Sequence, residues 1–316
     1  MKFIEIPKKS GGVRKICVPG PKRKRRCRDS IPTLQAIVRQ VCDLEVVHGF
    51  AELRSPVTNA LKHVGYEYTL SFDLKDFFDH VKFDMVKKVL RSAKTFPRGS
   101  APVRWLRDRS SPSFHDKVAR QGLPTSPILA NIAAAAMDKE ILEHIGQGKI
   151  VYTRYADDLC FSFDSKWSAG RLKYHVPLIT KRHGFVVNDK KTRLQWAKVG
   201  RRIITGVAVD DKGIHPTRAF RRRLRAAIHN AKTGKVKHFP KRQWTRYVKT
   251  CKYHGRAHMP KQVWLKLWLH KKVKGLEEWA KLRPPTSGHR SAARIVDTIN
   301  SPQEAMSELA SRGKPG

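Results

Sequence analysis

Acidic residues are scarce in this chain. Its 316 residues include 26 Asp and Glu against 66 Lys and Arg, a formal net charge of +40. An excess of that size repels itself in the folded state, so a polyanionic partner is expected and a free-standing structural role is disfavoured. Long apolar runs are also missing. The start, MKFIEIPKKS, has no apolar leader core, and the longest mostly apolar stretch, Ile128 to Met137, is too short and Ala-rich to span a bilayer. Export and membrane insertion are therefore not expected, and a cytoplasmic location is. The five cysteines, Cys17, Cys27, Cys42, Cys160 and Cys251, show no metal-ligand spacing. They read as reduced thiols and argue against a zinc module. No fixed-period repeat is present, which excludes a solenoid.

The basic residues that are present cluster. Residues 1–30 hold eleven Lys and Arg and two acids. IPKKSGGVRKICVP reads as a hairpin turning at Gly11-Gly12, and PKRKRRCR as a basic loop after it. Ser30 to Val47 is apolar at helical spacing, with Ser30 as N-cap before Pro32. Tyr66 to Phe72 reads as a strand, Asp84 to Ser92 as a helix and residues 96–102 as a loop. QGLPTSPILANIAAAAMDKEIL (121–142) starts as a Gly/Pro-rich loop and becomes a long helix. Ala169 to His183 reads as a helix, GFVVN as a strand, and Arg202 to Val209 as another strand. From Lys212 to Gly275 there are 20 Lys and Arg and no acid. Trp244, Trp264 and Trp268 are interspersed there at helical spacing. A phosphate backbone is the natural counter-charge for such helices. Residues 284–316, rich in Pro, Ser, Gly and Ala, read as a loosely held tail.

Acids, where they occur, are placed pointedly. RYADDLCFSF (154–163) sets Asp157 and Asp158 between two alternating β-type runs, so both fall at a hairpin tip. FDLKDFFD (72–79) sets Asp73 at the end of another apolar strand. A lone Asp-Asp pair is usually only a turn. Pairing the Asp73 strand beside the hairpin would gather three carboxylates, which repel one another unless a cation neutralises them. Hard oxygen donors select Mg²⁺ or Mn²⁺, and in so basic a chain the substrate is expected to be phosphate. Two divalent ions acting on a phosphoryl centre is the simplest chemistry that fits.

The ordered set of motifs resembles the reverse transcriptases, and more narrowly their bacterial retron type. YADD (155–158), FDLKDFF, QGLPTSPILANI (121–132), HGFVVNDKKT (183–192), IITG (203–206) and NALKH (59–63) carry the resemblance, which runs from about residue 7 to 270. It implies an α+β right-hand polymerase with an antiparallel palm sheet. Residues 1–65 would be fingers and 66–211 palm, with a fingers segment inserted near 85–120. Residues 212–283 would be a basic helical thumb, and 284–316 a flexible tail. It implies RNA-templated DNA synthesis from dNTPs with two Mg²⁺ ions, Mn²⁺ substituting. Asp73, Asp157 and Asp158 would bind the metals. Phe78 would be the steric gate that selects dNTPs. Gln121 and Gly122 would lie against the nucleotide, Arg14 and Lys15 would grip its triphosphate, and Lys191 would sit near the leaving pyrophosphate. Tyr155 would line the primer end, and Thr205 and Gly206 would belong to the primer grip. Asn59 and His63 would contact RNA or close a local network.

The resemblance further implies partners. A cognate structured non-coding RNA would act as template and primer, giving a 2′-linked branched RNA–DNA hybrid (msDNA). A separate effector protein would join it in anti-phage defence. Two alternatives stay open. One is a CRISPR-associated or abortive-infection reverse transcriptase. The other is a non-catalytic RNA-binding scaffold. Short fingers, beginning almost at the Gly-Gly hairpin, are the one departure, and they bear on how RNA or an effector would dock.

Overall fold

A computed structural model describes residues 2–8, 11–92, 112–146, 148–233 and 241–253, with short helical pieces between 261 and 276. The expected loop at 96–102, Trp264 and the tail at 284–316 lie outside the described residues. The chain divides into two compact units, one running to Lys212 and a second spanning Gly213–Pro285.

The first unit opens with a hairpin of β1 (Lys2–Pro7) and β2 (Val13–Val18), turned at Gly11-Gly12, both with positive φ. The basic stretch after it is a helix, α1 (Pro21–Asp29), where a loop was expected. Pro sits at its first turn, Cys27 is buried, and Arg23 donates from Nε to Pro112 O at 2.7 Å and from its guanidinium to Phe114 O. Those anchors lie some ninety residues away in the chain, so local sequence does not reveal them. α2 (Ile31–Val41) starts where expected, but the Ser30 hydroxyl donates back to Arg26 O and does not cap it. The helix also stops short of Val47. Residues 46–48 run alongside the Arg154 strand instead: Arg154 N donates to Val46 O at 2.8 Å and His48 N to Arg154 O at 2.9 Å.

α3 (Pro56–Leu61) begins with a capping box between Ser55 and Thr58. β3 (Tyr68–Asp73), α4 (Phe77–His80) and α5 (Phe83–Ser92) follow, and then α6 (Ser126–Ile145). β4 (Ile150–Tyr155) and β5 (Asp158–Phe163) form the expected hairpin, and α7 (Lys166–Arg182) the expected helix. GFVVN is not a strand. It runs beside the end of β3, with one bridge from Leu74 to Val187, Lys75 N donating to Val186 O at 2.7 Å and Asn188 N to Asp73 O at 2.8 Å, and the paired strand is β6 (Arg193–Trp196). The run from Arg202 to Val209 breaks into β7 (Arg202–Ile204) and β8 (Val207–Val209), because Thr205 and Gly206 both take positive φ and turn the chain. Positive φ at both central residues is the pattern of a type I′ hairpin turn.

The central sheet has the order β4-β5-β3-β6, every pair antiparallel. Its register sorts side chains by period two. Leu70 and Phe72 of β3 lie beside Phe161 and Leu159 of β5, on the face that carries Tyr152 and Arg154 of β4. These apolar residues join α2, α5, α6 and α7 in one core. Each fully buried Phe or Leu there contributes about 1.5–3 kcal/mol. The opposite face carries Thr69, Ser71 and Asp73 beside Ser162, Cys160 and Asp158. A polar strip on that face thus leads directly to the acids.

In the second unit, α8 (Arg218–Thr233) and α9 (Lys241–Tyr253) carry no acidic residue. Phe220 and Ala227 are the buried positions of α8, and Trp244 lies 5.7 Å from Tyr247 on α9.

Candidate active site

The opening of the β4–β5 hairpin is tight. Its tip is Ala156-Asp157, with Ala156 at φ 58°, and Tyr155 pairs with Asp158 across it. Asp158 in turn pairs with Asp73 on β3, and Leu74 N donates to Asp157 O at 2.9 Å. Strand register alone therefore brings together three acids that lie 84 residues apart in sequence (157 minus 73).

Their electrostatics follow from that crowding. Burial pushes the Asp158 carboxyl up to about 7, with the neighbouring Asp157 and Asp73 charges adding to it and Lys191 opposing. Asp157 is raised as well, by burial and then Asp73, against its own amide, Lys191 and Arg14. Asp73 is held by a cation: Lys191 Nζ donates to Oδ1 at 2.7 Å, and Asn188 Nδ2 approaches Oδ2 at 3.4 Å. That contact, helped by the other two acids, raises the Lys191 pKa. Partly buried carboxylates that raise one another's pKa are a donor set suited to a hard divalent cation. As they stand, with Asp73 bonded to Lys191 and Asn188, no three acid, His or Cys side chains among the described residues are gathered tightly enough to ligate one ion.

Tyr155 shares the acid-side face by register, and Arg14 is close enough to lower the Asp157 pKa. Lys15 follows Arg14 on a strand, so it points the other way; its Nζ lies 3.9 Å from Glu5. Phe78 is half-buried, its ring 6.1 Å from Phe50 and 5.7 Å from Phe77. Gln121 O accepts from Cys17 N at 2.8 Å. A Cβ on Gly122 (φ +107°) would fall 2.2 Å from Cys17 O. The close approach that Gly122 permits is thus to the β2 backbone.

Asn59, His63, Thr205 and Gly206 meet on the polar face. His63 is fully buried, its ring nitrogens 2.8 Å from Ser162 Oγ and 2.7 Å from Thr153 Oγ1. Burial, then Arg202 and His48, lower its pKa to about 3. Arg202 donates to Thr69 Oγ1 at 3.0 Å and to the His63 carbonyl at 2.9 Å. Asn59, also fully buried, donates to Thr205 Oγ1 at 3.4 Å, and Thr205 donates to Pro56 O at 3.3 Å. The NALKH and IITG motifs are therefore one structural unit. It holds a left-handed Thr205, a conformation that costs a β-branched residue dearly.

Sequence reasoning missed the residues that fix the hairpin from its apolar side. Arg154, fully buried, donates to both Asp138 oxygens (2.7–3.0 Å), to Asn131 Oδ1 at 3.0 Å and to Ala156 O at 3.3 Å. Tyr152 also donates to Asp138, at 2.8 Å. Burial works against the Arg154 charge, but Asp138 outweighs it and raises the pKa. Asn131 donates to Gly49 O, and a Cβ on Gly49 would meet Ala156 N at 2.2 Å. The signal was available: an Arg at a strand position whose neighbours in register are Phe and Leu must find a buried acid.

Comparison with known proteins agrees with this geometry. A family model for reverse transcriptase (RNA-dependent DNA polymerase) matches residues 6–253. The chain is 34% identical over 244 residues to the retron Mx65 reverse transcriptase of Myxococcus xanthus, covering 71% of this chain and 54% of that protein. It is 33% identical over 258 residues to the retron Mx162 enzyme of the same organism, covering 73% and 52%. To the retron Ec86 reverse transcriptase of Escherichia coli it is 28% identical over 203 residues, covering 63% and 61%. The chain thus spans about half the length of the M. xanthus relatives. A structure of telomerase from Candida albicans shares the fold at TM-score 0.51 and 14% identity, covering 68% of this chain and 45% of that one. Among the described residues no helix is long and apolar enough to cross a membrane. With its right-hand polymerase fold and matching motifs, the chain belongs to the reverse transcriptase family, in its retron-type bacterial branch.

Proposed function

We propose that the chain is an RNA-directed DNA polymerase that copies a cognate structured RNA into DNA. The observation that carries this reading is the register pairing of Asp73 with Asp158 at the tip where Asp157 also sits. Asp73, Asp157 and Asp158 would hold Mg²⁺, with Mn²⁺ as substitute, Asp158 being the least essential ligand. Bound there, two such ions supply activation of the attacking hydroxyl and neutralisation of charge at the phosphoryl centre. The chain's own residues bind and orient the reactants. Phe78 excludes a sugar bearing a 2′-hydroxyl. Gln121 and Gly122 line the nucleotide, with Arg14, and Lys15 more remotely, at its triphosphate. Lys191, whose ammonium bonds Asp73, serves the leaving pyrophosphate. Tyr155 and the Thr205-Gly206 turn hold the primer end. The basic helices of the second unit suit a duplex recognised through its backbone.

The retron relatives support a narrower form of the reading. In it the RNA primes from a 2′-hydroxyl, the product is a branched RNA–DNA hybrid, and a separate effector completes an anti-phage system in the cytoplasm. The test is to express the chain with its native flanking DNA and treat the co-purified nucleic acid separately with RNase and DNase. DNA joined to RNA is expected, and the Asp157→Ala, Asp158→Ala variant should lack it while still binding RNA. Full synthesis by that variant would refute the assignment of the acids. Long heterogeneous DNA would point instead to the abortive-infection kind of enzyme, and RNA alone in both samples to a scaffold. Phe78→Ala should raise rNTP incorporation; unchanged sugar selectivity would return Phe78 to core packing beside Phe50 and Phe77.

A further inference from the structure

The outer face of α7 has no use in the reading above. The helix spans Lys166–Arg182, and its inner stripe, Ala169, Leu172, Val176 and Ile179, is buried in the core. Its outer stripe is unusual for a soluble helix. Trp167 is 90% exposed, Tyr174 68% and Leu178 44%. Spacings of seven and four residues put all three on one face, with Arg171 and Lys181 between and beyond them. From Trp167 to Lys181 the stripe runs about 21 Å along the helix. The Tyr174 ring meets His175 edge to face at 5.0 Å, which holds it while it stays open to solvent.

Charge decides what such a face accepts. α7 carries five Lys and Arg and no acid. Arg182 pairs with Glu140 and Arg171 donates to the His144 carbonyl at 3.5 Å, but Arg171, Lys173 and Lys181 form no ion pair with any described residue. A second copy of this chain, at net +40, would bring more positive charge to an already positive face. A basic protein partner fails for the same reason. Exposed aromatic rings alternating with unpaired cations match single-stranded nucleic acid, whose bases stack and whose phosphates take the charge.

We propose that the outer face of α7 is a second RNA-holding surface, remote from the acids, on which Trp167 and Tyr174 stack unpaired bases while Arg171 and Lys181 take the adjoining phosphates. The location supports a holding rather than a templating role. α7 shares the core on the apolar side of the sheet, whereas Asp73 and Asp158 lie on the polar side. An RNA engaged in the active site would reach α7 only by passing around the sheet, so the surface suits unpaired flanks of a structured RNA. This proposal rests on the reading that the chain binds RNA.

The probe is a fluorescent RNA hairpin with a single-stranded oligoadenylate tail, titrated onto the full chain. Polymerisation on an oligo(rA)/oligo(dT) template-primer is measured in parallel. Trp167→Ala with Tyr174→Ala should weaken binding of the tailed hairpin at least roughly tenfold, as loss of two stacking platforms requires. Binding of the same hairpin without its tail should stay unchanged, as should polymerisation. Trp167→Phe with Tyr174→Phe keeps the rings and should restore binding. Arg171→Gln with Lys181→Gln should reduce the salt dependence of binding. Undiminished affinity in the Ala variant overturns the proposal. So does an Ala variant whose only change is a smaller mass by light scattering, which would make the stripe a protein-docking face. Failure of the unaltered chain to bind either hairpin would overturn the RNA-binding reading itself, a result distinct from a loss confined to the tail.

Discussion

The two faces of the central sheet each bury an arginine, and the two are treated in opposite ways. On the apolar side Arg154 meets Asp138 with both carboxylate oxygens, and its pKa rises. On the polar side Arg202 donates, among the described residues, to the Thr69 hydroxyl and the His63 carbonyl, and burial lowers its pKa against the pull of the more distant Asp164 and Asp210. Both support the machinery at the sheet's end. Arg154 reaches the Ala156 carbonyl beneath the acids, and Arg202 begins the strand that leads to the Thr205 turn. The side that fixes the acids is therefore built as a neutralised charge pair. The side that shapes the turn is a layer of neutral hydrogen bonds around an imperfectly compensated cation.

The strongest way to break that contrast is Asp138→Asn. It leaves Arg154 charged and buried without its carboxylate, which should cost about 3–5 kcal/mol. Urea unfolding measures it. Asp138→Leu combined with Arg154→Met should recover most of the stability, since both charges leave together. DNA synthesis should not recover with it, because the hydrogen bond to Ala156 O is gone. Recovery of both would mean that the pair stabilises the fold without positioning the hairpin.

How far the sequence revealed these arrangements depended on whether a feature was local. The β4–β5 hairpin, the end of β3 at Asp73 and the long α6 all follow from alternation, helical spacing and turn chemistry, and their register then brings the acids together. α1 was hidden because the anchors of Arg23, at Pro112 and Phe114, are remote in the chain. β6 was hidden because RLQW has too little alternation to stand out beside GFVVN, which is the more strand-like of the two segments. The fates of Gly49 and Gly122 were equally out of reach, because each is glycine for the sake of a distant backbone that passes within 2.2 Å of its absent Cβ. Asn59 and Thr205 were each readable as motif residues, but their meeting at 3.4 Å depends on tertiary contact.

An effect that is smaller at any one pH step sharpens the polar side. The folded pKa of His63 is lowered to about 3 from 6.5, so the unfolded chain takes up the proton first. Its contribution to stability is complete above pH 6.5 and is lost as pH falls from there toward 3, at about 1.4 kcal/mol per pH unit. His48, lowered to about 4 by burial and then Arg54, adds in the same direction. Asp158, raised to about 7, works against them over the same range, so the readout is the change in slope of the unfolding midpoint with pH: His63→Gln should lose part of the rise that the parent chain shows. A slope unchanged in the variant would assign the whole effect to other groups.

The smallest effect concerns the Thr205 turn. Thr205 sits at φ 46° and Gly206 at φ +84°. A turn with positive φ at both central residues favours Asn-Gly, because Asn tolerates the left-handed region that a β-branched side chain resists. On local grounds Thr205→Asn should stabilise the fold by about 0.5–1 kcal/mol. Against that gain stand the two hydrogen bonds of the threonine hydroxyl, to Pro56 O and from Asn59, at 3.3 and 3.4 Å. Both are long, so relief of strain should win, and urea unfolding should show a higher midpoint. If the fold gains stability while primer extension slows, the threonine is held in a costly conformation for what its hydroxyl and backbone do at the turn, as strained residues at functional sites commonly are. If stability falls instead, the neutral layer of the polar side is stronger than its distances suggest, and the contrast with the Arg154 side narrows.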